Sequence, residues 1–378
     1  MKIFLIIILF STISYSQSFD IPQRNQNAIH GNLWANSAMN LSRVDRENNI
    51  LNQVLVLGNV PEFLKSTVRI KLEKQIDNKQ YSVEYFTMSD YFAIGNDTDY
   101  FLIPMTPILA QKIGDAIKAN LPTRLMVNEI YQSAKLKLPP QPIPPSAAMI
   151  TMPVFKQHND SVLKIRNLNL QSHPIGVLIG GTKKDIVISN NIYQNLKSNV
   201  PKPVVIYGWH QLNGVPIQPL YNGHEETYAD YSHGVRFISD TVLINGEKLL
   251  FKNILRDSIL QKLFSDEGKI DKPFYSVTTN SFLEGKNIYE KNFELLQNYP
   301  NPFNSTTTIL FKNKKEEILN LTLHDYLGKE IEKIFTDKYF TKGMHQVEIN
   351  LKSYSTGPYV YSLRSQKTSL NKILFLIK

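Results

Sequence analysis

A chain of 378 residues, 42% hydrophobic and 11% aromatic, carries enough apolar mass for more than one core, and its length points to two or three domains. Its net charge of +9 comes from basic residues spread along the chain, which fits solubility and attraction to anionic polymers and gives no support for a nucleic-acid site. Cysteine is absent, which excludes disulfide reinforcement, a thiol nucleophile and thiolate metal ligands.

Met1-Lys2, the apolar run Ile3 to Phe10 and the small residues Ser14 and Ser16 read as a secretory signal peptide, residues 1–16. The run is about half of the roughly 20 residues a membrane-spanning helix needs, and no later segment approaches that length, so no transmembrane anchor is expected. Residues 17–50, rich in Asn, Ser and Gln, are expected to form an extended arm.

Residues 51–285 read as an α+β body with a mixed or antiparallel sheet. Leu51 to Leu57 has the pattern of a strand, and Arg69 to Leu72 with Tyr81 to Phe86 that of a hairpin around Asp77-Asn78. Thr106-Pro107 opens a helix through about Ala119, and a second helix follows Pro122-Thr123 as far as about Ser133. Leu138 to Pro145 has five prolines in eight residues and is expected to be a stiff surface strap. From Val154 the pattern predicts strands at Val162–Ile165, Ile175–Ile179, Ile186–Ser189, Val204–Trp209 and Val235–Asn245, with a β-turn at Gly180-Gly181. Short helices are expected around Asn190–Ser198 and Phe251–Leu263, and a linker over residues 286–293.

Three of the eight histidines, His210, His224 and His233, fall within 24 residues, separated by the irregular-looking stretch Val215 to Asn222. If strand ends bring them together, they could hold a catalytic zinc with Asp230 or Glu225 as ligand or base, although the spacing matches no known zinc motif. A second reading makes His233 a general acid or base oriented by Asp230, with His210 nearby and Tyr207, Tyr231 or Arg236 polarising a substrate oxygen. In a third, Trp209, Tyr221, Tyr228 and Tyr231, bordered by Lys184 and Asp185, line a binding groove without turnover. Ser232-His233-Gly234-Val235-Arg236 faintly resembles the Ser-His-Gly-Cys-x-Arg signature of L,D-transpeptidases but lacks the cysteine, so that chemistry is not supported.

From residue 294 short alternating strands are separated by turn residues such as Leu327-Gly328 and Lys342-Gly343, the pattern of a small antiparallel β-sandwich. Residues 294–378 closely resemble the type A C-terminal sorting domain of type IX secretion cargo, found in Bacteroidetes and relatives. The resemblance rests on Asn298-Tyr299-Pro300-Asn301-Pro302-Phe303-Asn304, Asp325-Tyr326-Leu327-Gly328-Lys329-Glu330, Lys342-Gly343, Ser355-Thr356-Gly357-Pro358-Tyr359-Val360-Tyr361 and the terminal lysine. Ser305 stands where proline is frequent and Pro358 where valine or isoleucine is usual. The resemblance implies recognition by the type IX translocon at the outer membrane, and cargo that is released or held at the cell surface. Location and the His, Asp, Tyr and Arg cluster together suggest a secreted hydrolase of an extracellular polymer, peptidoglycan or polysaccharide. The alternative is a non-catalytic surface protein that binds carbohydrate or peptide.

Overall fold

Asp77 takes a left-handed backbone, φ 53°, and turns the chain between Thr67–Ile76 and Lys79–Met88, which pair antiparallel from Thr67↔Met88 to Ile76↔Lys79. The strand Lys79–Met88 is the spine of a six-stranded sheet. Its outer neighbours are Thr241–Ile244 and Ile238–Ser239, continued by Glu247–Leu250 on one side and Ala119–Asn120 on the other. A second, mixed sheet runs Pro216–Glu225, Pro203–His210, Lys184–Ile186, His233–Gly234, with only the last pair parallel. The computed structural model describes residues 18–26, 28–194, 201–277, 292–296, 298–325, 330–365 and 369–378. The signal-peptide reading, Gly328, residues 195–198 of the expected short helix and residues 286–291 of the expected linker lie outside the described residues.

Several expectations change form. The arm and the strand at Leu51–Leu57 are instead the helices Gly31–Ser37 and Arg43–Leu55. Ser42 caps the second by accepting from the Asp45 amide, Ile50 and Val54 are buried one turn apart, and the buried Trp34 indole donates to Asn49 Oδ1 at 2.7 Å. Val162–Ile165 lies inside the helix Met152–Asn167, because Phe155, His158, Asn159, Val162 and Arg166 recur every three or four residues on its buried side. The irregular loop foreseen at Val215–Asn222 is the bulged edge strand Pro216–Glu225.

The helix Arg124–Ser133 packs its buried side, Met126, Val127, Ile130 and Tyr131, against Pro203–His210 of the second sheet. Thr123 caps it, accepting from the Met126 amide at 3.3 Å while its hydroxyl donates to the Phe264 carbonyl. The cap thereby ties the start of the helix to a distant segment of the same core.

The chain divides into two compact units, Met1–Val277 and Thr278–Lys378. The second is a β-sandwich. A three-stranded sheet of Phe293–Leu295, Thr306–Asn313 and Gly343–Asn350 shares one core with a four-stranded sheet of Glu330–Phe340, Glu317–Asp325, Gly357–Arg364 and Ser369–Leu376. Phe311, Leu321, Tyr361 and Leu374 meet between the sheets. No helix among the described residues is long and apolar enough to cross a membrane.

Thr123→Ala removes a helix cap and strands the Phe264 carbonyl. The expected cost is about 1–2 kcal/mol, read as a lower denaturation midpoint of the body's transition with an unchanged slope.

Candidate active site

A regular strand would put Tyr207 and Trp209 on one face of the second sheet and Gly208 and His210 on the other. The chain breaks this alternation. Gly208 has φ 104° and Trp209 has φ 57°, two consecutive positive values, and the second is an outlier for a bulky residue. Trp209 therefore stands with Lys184, whose Nζ lies 5.1 Å from its ring, and its indole donates to the Thr182 carbonyl at 3.1 Å. His210 returns to the side of Tyr207, and both reach Asn128 Oδ1 on the helix Arg124–Ser133, at 2.8 and 3.0 Å. Asp185 is opposite Tyr207 in register and shares that face.

On this face a small pocket, with room for about one water molecule, is lined by Tyr91, Val127, Ile130, Tyr131, Gly180, Gly181, Asp185, His210 and Arg236. Gly181, at φ 99°, has to be glycine, since a Cβ there would lie 2.2 Å from the Leu138 carbonyl oxygen. The Tyr91 hydroxyl donates to Asp185 Oδ2 at 2.8 Å, and the Arg236 guanidinium lies 4.4 Å above the Tyr91 ring. Arg236 itself is fixed by donating to the Met88 and Ile179 carbonyls at 3.0 and 2.8 Å.

Burial pushes the Asp185 carboxyl up to about 7 despite the opposing pull of Arg236 and Tyr91. Burial also brings His210 down to about 4, so its imidazole is neutral at ordinary pH, stacked 4.4 Å from the Tyr131 ring. Between about pH 4 and about 7 a protonated carboxyl and a neutral imidazole thus line one pocket, the combination used for paired acid and base work.

The remaining expected residues sit on the opposite face or at the edge. Asp230 Oδ1 accepts from the Ser232 amide and hydroxyl at 2.8 and 2.6 Å, and its Oδ2 lies 3.8 Å from His233 and 4.0 Å from Lys184. Burial works against a charge on Asp230, yet His233, Lys184 and Ser232 hold its carboxyl down at about 2. Burial keeps His233 neutral, at about 4, so Lys184 and Ser232 are the partners that support the carboxylate above that pH. His233 is 0% exposed and both its ring nitrogens lack a hydrogen-bond partner. Tyr231 accepts from the Ile143 amide at 2.8 Å and donates to the Ile143 carbonyl at 3.0 Å, pinning the proline strap. Tyr221 and His224 belong to the exposed edge strand, where His224 stacks 4.0 Å from Tyr228.

The structure does not bring His210, His224 and His233 together. Among the described residues no group of three His, Asp or Glu side chains is placed to hold a metal. His224 is opposite Val204, six residues from His210, or about 20 Å along the strand, and His210 and His233 occupy opposite faces. The sequence reading also missed Tyr91, Asn128 and Tyr131. Tyr91 sits in an apolar run that carries no chemical signal, whereas Asn128 and Tyr131, three apart beside the apolar stripe of an expected helix, were within reach.

In the second unit the motif residues are mostly tied into their own domain. The Asn298 amide donates to the Tyr361 hydroxyl at 2.9 Å and its side chain to Thr307 Oγ1 at 2.9 Å. Asn301 accepts from the Phe375 amide at 2.7 Å and donates to the Ile373 carbonyl at 3.2 Å. Pro300 and Pro302 follow cis peptide bonds, Asn304 comes next, and Phe303 is buried. Tyr359 donates to the Ser355 carbonyl, and Gly343 and Gly357 begin strands with positive φ. Tyr299 is 77% exposed.

The family described as Secretion system C-terminal sorting domain matches residues 297–377. Compared with curated proteins and with solved structures, the chain matches none. The chain carries a type IX secretion sorting domain, which implies interaction with that secretion system and export to the cell surface or beyond.

From about pH 4 to about 7 the folded state holds a proton on Asp185 that the unfolded chain, with its carboxyl near 3.8, has lost, so this group makes stability fall as pH rises through that window. Asp185→Asn removes the effect. Relative to wild type its melting temperature is expected to climb between about pH 4 and about 7 and then level off; a flat difference would show that Asp185 is ionised in the fold.

Proposed function

We propose that the body is an exported hydrolase acting on an extracellular polymer, peptidoglycan or polysaccharide, with Asp185 as proton donor and His210 as proton acceptor. The observation that carries the reading is the pocket itself, in which a protonated carboxyl and a neutral imidazole meet beside a fixed guanidinium. His210 takes a proton from a water, the water oxygen bonds to the carbon under attack, and Asp185 gives its proton to the departing oxygen or nitrogen. Arg236 then faces the newly ionised Asp185, a charge pairing absent before the step. Solvent returns both groups to their starting states.

The pocket has room for about one water molecule, so the polymer lies across its mouth with the bond to be cut facing Asp185 and His210. Net charge of +9 favours approach to anionic wall polymers. Asp230 and His233 support this site from the far face of the sheet rather than touching substrate.

Incubating the purified protein with peptidoglycan and with polysaccharides is expected to release soluble fragments. His210→Ala and Asp185→Asn should each slow release by about 10²–10⁴-fold. The profile of kcat/KM should be a bell bounded by the two groups: activity rises with pH through about 4 as His210 loses its proton and falls through about 7 as Asp185 loses its own. Polymer that binds without any fragment appearing would overturn the hydrolase and favour the non-catalytic binding protein.

For export, a chain truncated before Asn298 is expected to accumulate inside the outer membrane of a host with type IX machinery, read by cell fractionation. Normal release of the truncated chain would mean that another segment carries the sorting signal.

A further inference from the structure

A histidine can act as a base at only one of its two ring nitrogens at a time, and a free imidazole divides its population between the two tautomers. His210 is not free. Its Nε2 lies 2.8 Å from Asn128 Oδ1, and the Tyr207 hydroxyl donates to the same oxygen at 3.0 Å. One carbonyl oxygen accepting both hydrogens satisfies every group in the trio; the reversed amide would leave the Tyr207 proton without that acceptor. The ring plane is fixed as well, by stacking on Tyr131, whose hydroxyl is tied to the Gln211 carbonyl at 2.6 Å. Beside the ring Gly208 has no side chain, and a Cβ there would lie 3.5 Å from both Cε1 and Nδ1 of His210.

We propose that Asn128 is a positioning residue that holds His210 as the Nε2–H tautomer, leaving the Nδ1 lone pair as the atom that accepts the proton. Its purpose rests on the acid–base reading of the pocket; the tautomer itself does not. Gly208 places no side chain against the Cε1–Nδ1 edge of His210.

The test is nitrogen NMR of the full chain labelled at histidine, with the His210 signals assigned by their loss in His210→Ala. Wild type is expected to show hydrogen on Nε2 and a lone pair on Nδ1 near pH 6. Asn128→Asp keeps an acceptor in place and adds a charge, so the tautomer should persist while the titration midpoint of His210 rises from about 4 by between about one and three pH units. Asn128→Leu should let the Nδ1–H form appear. Hydrogen on Nδ1 in wild type, or an Asn128→Asp variant whose His210 midpoint stays in place, would overturn the assignment. The Nε2–H tautomer in a chain that hydrolyses none of the polymers would sink the hydrolase while leaving the role of Asn128 standing.

Discussion

The two positive backbone angles at Gly208 and Trp209 are the constraint on which the candidate site depends. With ordinary alternation His210 would share a face with Lys184 and His233, and the pocket would hold a carboxyl without a base. Holding a bulky residue in the left-handed region costs about 1–3 kcal/mol. Burying the Trp209 side chain returns a similar or larger amount, about 1.5–3 kcal/mol before its bond to Thr182 and its contacts with Lys184 and His158 are counted. Packing on one face of the sheet thus offsets the strain that shapes chemistry on the other.

Three of the most deeply buried cations share one kind of partner, whereas Lys74 pairs with Glu129 and Lys184 lies near Asp230. Arg236 donates to the Met88 and Ile179 carbonyls, Arg166 to those of His173 and Pro174, and Lys183 to that of Tyr231. Main-chain carbonyls, rather than carboxylates, accept the hydrogen bonds of these three cations. Asp90 and Asp185 are left with neutral donors, the Tyr91 amide and the Tyr91 hydroxyl, and burial raises both. A directly ion-paired Asp185 would have been held ionised and unable to donate. The division of partners is what lets an aspartate remain an acid close to neutral pH.

The sequence made the hairpin at Asp77-Asn78, the helix before Ser133 and the strand ending near Trp209 legible, because each has a local cause: a turn, a Thr cap, or an unbroken apolar run. It also singled out Asp185, His210, Arg236 and Tyr207 as chemistry. It grouped them by closeness in sequence, which assumes a regular strand, whereas the structure sets His210 and His233 on opposite faces, and a positive φ at tryptophan leaves no trace in periodicity. The helices at Gly31–Ser37 and Arg43–Leu55 were hidden for another reason. Their polar composition suggested an arm, while a few well-spaced residues, Trp34, Ile50 and Val54, provide the buried contacts.

The sorting domain was readable for the opposite reason. Its marker residues report folding and recognition together: Asn298 and Asn301 stitch the loop to the sandwich and Phe303 fills its core. Such side-chain-to-backbone ties demand particular residues at particular positions, so the pattern survives as a motif. Tyr299 stands apart, exposed on a loop held in place by its neighbours, and that combination of rigid support and free aromatic surface suits a residue read by another protein. In the body the equivalent rigidity comes from burial spread over many apolar positions, any of which accepts several residue types. A domain held by specific polar ties can be named from its letters, whereas a site held by distributed packing has to be found in its geometry.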